Sequence, residues 1–119
     1  MSSGSATGRV VVGERVRDRV RDRVTAVLSG DLDGTVADEV GAQLRLGVRG
    51  TGPGILMLDM AVVDFCDVAG LRALLAAQAE GSRIGCRVVI SAPSEVVVWL
   101  LDLTGLGESF GYPPGESIG

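Results

Sequence analysis

The side chains of this chain that could do chemistry are carboxylates, hydroxyls and the two thiols of Cys66 and Cys86. Histidine is missing from the 119 residues, and all 11 basic residues are arginines. Without histidine there can be no histidine triad, imidazole base or histidine metal site. Without lysine there can be no Schiff base, P-loop lysine or lysine-assisted acyl-phosphate site. We therefore expect no catalytic residues, no metal and no cofactor, and a small enzyme is a disfavoured alternative.

The thiols are predicted to be unreactive. Cys66 and Cys86 form no CxxC pair, which favours free, packed thiols in a reducing compartment. Asp67 follows Cys66 directly, and its negative charge would raise the thiol pKa. Residues 1–8 are small and polar, lack the features of a signal peptide and are expected to form a disordered leader. These observations predict a cytoplasmic protein.

Charge and hydropathy restrict the partners. The 15 acidic residues exceed the basic ones and give a net charge of -4, which disfavours nucleic acid because such binding depends on neutralising phosphates. The longest apolar runs, residues 55–60 and 96–101, are far shorter than the roughly 20 residues of a membrane span. We therefore expect neither a nucleic-acid nor a membrane partner.

The candidate binding residues lie between residues 55 and 75. An apolar run at 55–60 predicts a strand covered on both faces. Asp67 precedes a helix, where it could cap the first turn or belong to a binding loop at the carboxyl end of a strand. Gly70 could admit a partner's backbone or relieve crowding in that turn. Both alternatives stay open at both residues.

The other elements are predicted from periodicity and from helix start and stop residues. Strands are expected at 9–12, 24–29 and 87–90, and helices at about 36–46 and 69–80. Residues 31–35 should form a turn, with Asp33 as a possible cap, and 50–54 a loop. Pro93, Ser94 and Glu95 should open a last helix that Gly105 closes. Strands alternating with helices predict an α/β layered fold with a mixed sheet.

An arginine-rich tandem covers residues 14–24, ERVRDRVRDRV. We expect a hairpin that turns near Asp18, with a frayed helix as the alternative. In an extended chain the arginines would line one face. That face would be a basic contact for an acidic partner or simply a solvated surface.

Three segments resemble the STAS domains of bacterial anti-sigma factor antagonists. The signature L-x-L-D-x-x-x-V-x-F-x-D-x-x-G-L-x-x-L-L matches residues 56–75. The segment 28–33, LSGDLD, is similar to L-x-G-E-L-D, with Asp31 in place of glutamate. Pro93 and Ser94, followed by LTGL at 103–106, look like the family's last helix. The resemblance implies a STAS-like mixed sheet of about four to five strands with packed helices over 9–112, followed by an irregular tail at 113–119.

What the resemblance implies is protein binding. Family members bind a kinase-like, ATP-using anti-sigma factor and so relieve the inhibition of a sigma factor. We therefore expect a partner-binding surface made of seven residues: Asp33, Cys66, Asp67, Val68, Ala69, Gly70 and Arg72. The family's phospho-acceptor Ser or Thr follows the aspartate of D-S-[ST]-G, whereas this chain has Val68 and Ala69 there. Neither carries a hydroxyl, so the familiar phosphorylation switch is predicted to be lost.

Trp99 is a further candidate contact. On a helix from Ser94 it shares one face with Glu95 and Asp102, opposite Val97 and Leu101. An outward tryptophan could anchor a homodimer or another partner, or it could lie against the leader or the tail. A second open alternative is a STAS scaffold subunit, stressosome-like or belonging to a lipid-transport complex.

Overall fold

The computed structural model describes residues 7–17 and 22–112. Within them four strands, three helices and a 3₁₀ turn follow one another along the chain. In order, these are β1 (Arg9–Arg17), β2 (Asp22–Leu32), α1 (Ala37–Thr51), β3 (Gly54–Cys66), α2 (Val68–Ile84), β4 (Cys86–Pro93), α3 (Glu95–Thr104) and the 3₁₀ turn (Glu108–Phe110).

The sheet is mixed, with strand order β1-β2-β3-β4. β1 pairs antiparallel with β2, whereas β2 with β3 and β3 with β4 are parallel. The helices α1 and α2 make the two crossovers that parallel neighbours require. The predicted α/β fold with a mixed sheet is confirmed. Residues 14–17 and 22–24 are strand, so the frayed-helix alternative is wrong there; the predicted turn near Asp18 lies outside the described residues.

One hydrophobic cluster holds the sheet and the helices together. Alternate residues of β3, among them Leu56, Leu58 and Met60, are fully buried, as the two-residue period of a strand requires. Helix α3 contributes Val97 and Leu101 to the same cluster, which confirms the predicted inward face of that helix. The core thus fixes the position of α2, which begins directly after β3.

Two strands run further than their sequence pattern predicts. β3 does not end near Met60 but continues to Cys66, because residues 62–66 still pair with β2. β2 continues to Leu32, so the predicted turn at residues 31–35 begins two residues later. Register shifts in the β2–β3 ladder interrupt the alternation of buried and exposed residues, which conceals the strand in the sequence.

The helices α1 and α2 are also longer than predicted. α1 continues to Thr51, into the predicted loop at 50–54. The predicted end of α2 at residue 80 is too early, and Gly81 lies in the last turn of the helix. A Cβ at Gly81 would be 2.4 Å from the Cys86 carbonyl oxygen, so glycine allows the helix to pack closely on β4. α2 ends instead at Gly85, whose φ of 81° suits glycine.

Both ends of the described part contact the rest of the fold, and the C-terminal one reaches the core. Thr7, in the predicted leader, forms an isolated parallel bridge with Asp31. Near the other end, the 3₁₀ turn was not predicted, yet it places Phe110 fully inside the core. Residues 1–6 of the leader and the predicted tail at 113–119 lie outside the described residues.

Candidate protein-binding surface

Asp67 builds the first turn of α2, a segment (residues 66–70) that we call the Asp67 turn. Its backbone is extended, and its Oδ1 accepts a hydrogen bond from the Gly70 amide at 3.0 Å. Its carbonyl oxygen accepts from the Leu71 amide at 2.9 Å, which starts the helix. Asp67 is therefore the N-cap of α2, so the predicted capping role is confirmed. The carboxylate also lies at the positive end of the helix dipole.

The Asp67 turn is held against the end of β2. The Asp67 amide donates to the Leu32 carbonyl oxygen at 3.2 Å. A Cβ at Gly70 would lie 2.3 Å from the same oxygen and 3.0 Å from Cys66 Sγ. Gly70 is buried, so glycine is required here by close packing within the chain and not by the approach of a partner's backbone. The backbone of the turn is thereby fixed.

Two apolar side chains and one arginine are exposed at and beside the Asp67 turn. Val68, the first residue of α2, is 59% exposed, and Phe65 at the end of β3 is 46% exposed. Ala69 is half-buried and Arg72 is exposed one helical turn after Val68. Phe65 was missing from the predicted surface. Because Phe65 pairs with Asp31 of β2, extending the predicted strand to Cys66 would have identified it.

Asp33 organises the segment before α1, residues 33–36, which we call the Asp33 turn. Its Oδ1 accepts from the Thr35 hydroxyl at 2.6 Å and from the Thr35 amide at 3.0 Å. Helix α1 starts later, with Val36 at the N-cap position and no side-chain cap, so the prediction that Asp33 caps the helix is wrong. The aspartate instead forms an Asx turn. The hydrogen bond from the Thr35 hydroxyl lowers the pKa of Asp33.

The Asp33 turn and the Asp67 turn lie side by side. A Cβ at Gly34 would be 3.9 Å from the Ala69 Cβ, an ordinary van der Waals contact. The two turns meet because β2 and β3 are parallel neighbours whose last residues, Leu32 and Cys66, are paired. The structure therefore brings Asp33, Asp67, Val68 and Arg72 to one end of the sheet. We call this region, with Phe65, the candidate surface.

The two thiols point into the core. Cys66 and Cys86 are buried and free. Burial, and after it the charge of Asp67, raises the pKa of Cys66 to about 11, and burial also raises the pKa of Cys86. Both thiols are thus protonated and poorly nucleophilic at neutral pH. The buried side chain of Cys66 packs beneath the Asp67 turn and is not accessible to a partner protein. In residues 7–17 and 22–112, no cluster of His, Cys, Asp or Glu could hold a metal.

Trp99 lies on the exposed side of α3. It is 62% exposed, and Leu103 on the same helix is 66% exposed, while Val97 and Leu101 are buried. The predicted outward direction of Trp99 is confirmed. The alternative that Trp99 lies against the leader or the tail concerns segments mostly outside the described residues. Across the described residues, no helix is long and apolar enough to cross a membrane.

Comparison with known proteins identifies relatives. A family model described as "Mlab, STAS domain" matches residues 16–112. A solved anti-sigma factor antagonist from Mycobacterium paratuberculosis is 26% identical, with a TM-score of 0.67 over 90% of this chain and 86% of that one.

Two solved forms of SpoIIAA are similar in fold. The unphosphorylated anti-sigma factor antagonist is 20% identical, with a TM-score of 0.62 over 80% of this chain and 82% of that one. The phosphorylated Bacillus cell fate determinant is 20% identical, with a TM-score of 0.57 over 80% and 85%. A comparison with curated proteins gives no significant match.

Proposed function

The chain belongs to the STAS domain family, and from that membership we propose that it is an anti-sigma factor antagonist that acts by protein binding alone. In this proposal the candidate surface docks onto a kinase-like anti-sigma factor in the cytoplasm, and a sigma factor is released. The likeness in sequence and fold to the mycobacterial antagonist supports the assignment.

The observation that carries the proposal is the exposure of Val68. This valine projects into solvent from a turn whose backbone is fixed by the Asp67 cap and by the close approach of Gly70 to β2. Together with the exposed Phe65, it forms an apolar patch with charged residues around it, which matches an interface that has an apolar centre and a polar rim. The neighbouring carboxylates of Asp33 and Asp67 and the charge of Arg72 would then set orientation and partner choice.

The same position cannot carry a phosphate. Val68 and Ala69 stand where the family has its phospho-acceptor, and neither has a hydroxyl. In a phosphorylated relative, the added negative charge beside the aspartate would weaken docking by repulsion and desolvation. We propose that this chain binds without that release step, so that its activity depends on its amount or on competition. Incubation with the captured kinase and ATP should leave residues 66–70 unmodified by mass spectrometry.

The test is capture of partners on immobilised protein from the native cytoplasm, with mass spectrometry. We expect the wild type to enrich an ATP-binding anti-sigma factor and Val68→Asp to lose it, because the aspartate imitates the missing phosphate. Val16→Asp is the matched control, since Val16 is 63% exposed on β1 and undergoes the same change. Equal capture by wild type and Val68→Asp would refute docking through the Asp67 turn.

A scaffold subunit of another assembly, stressosome-like or for lipid transport, is the second candidate. The exposed pair Trp99 and Leu103 favours it, because a scaffold needs a second contact face in addition to the Asp67 turn. The identity of the captured proteins separates the two functions. A homodimer through α3 would appear in sedimentation as a concentration-dependent mass that Trp99→Ala abolishes, and a strict monomer at high concentration would exclude it.

A further inference from the structure

A groove of about 370 Å³ separates α1 from α2 and opens beside the Asp67 turn. Its floor is made of small residues, which include Gly41, Ala69 and Ala73. A Cβ at Gly41 would be only 3.6 Å from the Ala73 Cβ, so the two helices are closely packed below the groove. Arg45 on α1 and Arg72 on α2 line it as well. The groove thus combines a floor without bulky side chains and two cations.

Neither of these two arginines has an acidic partner within the described part of the chain. Other arginines there do: Arg49 is 3.2 Å from Glu80, and Arg83 is 3.8 Å from the same carboxylate. Arg45 is half-buried, and its Nη1 would be 3.3 Å from a Cβ at Gly41, so the guanidinium lies over the glycine instead of extending into water.

The one carboxylate that lines the groove is Asp38, near the start of α1. It forms no ion pair with Arg45 or Arg72 within the described residues, so it leaves both cations available. An acidic group of a partner can therefore be bound beside these two arginines.

We propose that the groove receives an acidic helix of the protein partner, with a carboxylate between Arg45 and Arg72. This inference rests on the proposed function and names the chemistry of the partner at the same surface. Ala69 belongs to both features, and Arg72 follows Val68 by one turn on the same helix face. A helix can lie between two others where small residues leave a groove for its ridge of side chains. Arginine pairs with carboxylates in short, charge-assisted hydrogen bonds.

The experiment uses the full 119-residue chain labelled with ¹⁵N. Two acetylated and amidated alanine-based peptides of about 16 residues serve as probes, a length at which such helices begin to be stable. One peptide carries glutamates four residues apart, and the matched peptide carries glutamines. Two-dimensional NMR follows the backbone amides and the arginine Nε–H groups during titration.

We expect the glutamate peptide to shift the Nε–H signals of Arg45 and Arg72 and the amides of Ala69 and Ala73. The glutamine peptide should bind at least tenfold more weakly. Raising the salt concentration from about 50 to about 300 mM should lower the affinity for the glutamate peptide several-fold, since salt screens partly exposed charges. Arg45→Gln and Arg72→Gln should each lower affinity for the glutamate peptide several-fold. Arg87→Gln, which removes an exposed charge from β4, should leave affinity unchanged.

Equal binding of both peptides or wild-type affinity in both groove variants would overturn the inference. So would the absence of any shift at about 2 mM peptide, because a site with a Kd near 1 mM would be mostly occupied at that concentration. The capture assay separates this failure from failure of the proposed function. If Val68→Asp abolishes capture of the anti-sigma factor while Arg45→Gln and Arg72→Gln retain it, the acidic-helix inference fails and docking stands. If all three variants capture the factor like the wild type, docking at this surface fails too.

Discussion

Replacing Gly70 with alanine puts a methyl group into the closest approach between α2 and β2. The new Cβ would be 2.3 Å from the Leu32 carbonyl oxygen, whereas ordinary Cβ contacts are 3.4 to 4 Å. The atom that it meets is backbone, and a second contact at 3.0 Å is with the buried Cys66 sulfur. The backbone oxygen cannot rotate away as a flexible side chain would, so the first turn of α2 must move away from β2 by about 1 Å.

The expected loss of stability follows from that movement. Overpacking of this kind costs about 1–3 kcal/mol. Moving the turn also stretches the Asp67 amide–Leu32 carbonyl hydrogen bond, now 3.2 Å long, and leaving it unmade costs about 1 kcal/mol. Alanine returns about 0.5–1 kcal/mol because it is the better helix former. We expect Gly70→Ala to lower the free energy of unfolding by about 2–3 kcal/mol and Tm by about 10 °C.

Urea denaturation followed by circular dichroism measures this change. Gly50→Ala is the matched control, because Gly50 also lies in a helix but has nothing within 4 Å of a built Cβ. The control should be stabilised by about 0.5–1 kcal/mol. If Gly70→Ala were as stable as Gly50→Ala, the close approach between α2 and β2 would not exist in solution, and the rigidity ascribed to the Asp67 turn would be refuted.

Three further changes test individual parts of the surface. Asp67→Ala should lower the free energy of unfolding by about 1 kcal/mol through loss of the N-cap, whereas Asp67→Asn should retain most of it; equal losses would exclude capping. NMR titration should place the Asp33 pKa below 3.8, with Thr35→Val raising it. Because folding lowers this pKa, the stability that Asp33 contributes is present above its ordinary value and lost as pH falls through the folded value; a Thr35→Val titration identical to that of the wild type would contradict the hydrogen bond. A shift of the Cys66 pKa from 9.0 to about 11 predicts alkylation of the folded thiol at pH 8 about a hundredfold slower than in the urea-unfolded chain, and similar rates would show the thiol to be accessible.

Features set by neighbouring residues were predictable from sequence. The Asp67 cap, the end of α3 at Gly105 and the exposed side of Trp99 all depend on spacings of a few residues. Features that depend on contacts between distant segments were not. The continuation of β3 to Cys66 requires pairing with β2, and the continuation of α2 through Gly81 requires its packing on β4.

The candidate surface divides in the same way. The exposure of Val68 follows from its place at the start of a helix, and the prediction from sequence includes it. The role of Asp33 was misassigned because α1 begins at Ala37, with Val36 at the N-cap position, and Thr35, not the helix, supplies the side-chain hydrogen bonds of Asp33. Arg45 was missed because it reaches the groove only through the packing of α1 on α2, for which the sequence contains no local signal.

In and beside the Asp67 turn, the residues that stabilise the backbone differ from the residues that would contact a partner protein. The cap of Asp67 and the buried Gly70 fix the backbone, whereas the side chains of Val68 and Arg72 contribute little to that support. Exchanges at exposed positions of this kind usually change folding stability by no more than about 0.5 kcal/mol. Descendants of this chain could therefore acquire new specificity by altering these two positions while the scaffold beneath them stays the same, so divergence of recognition here need not pass through unstable intermediates.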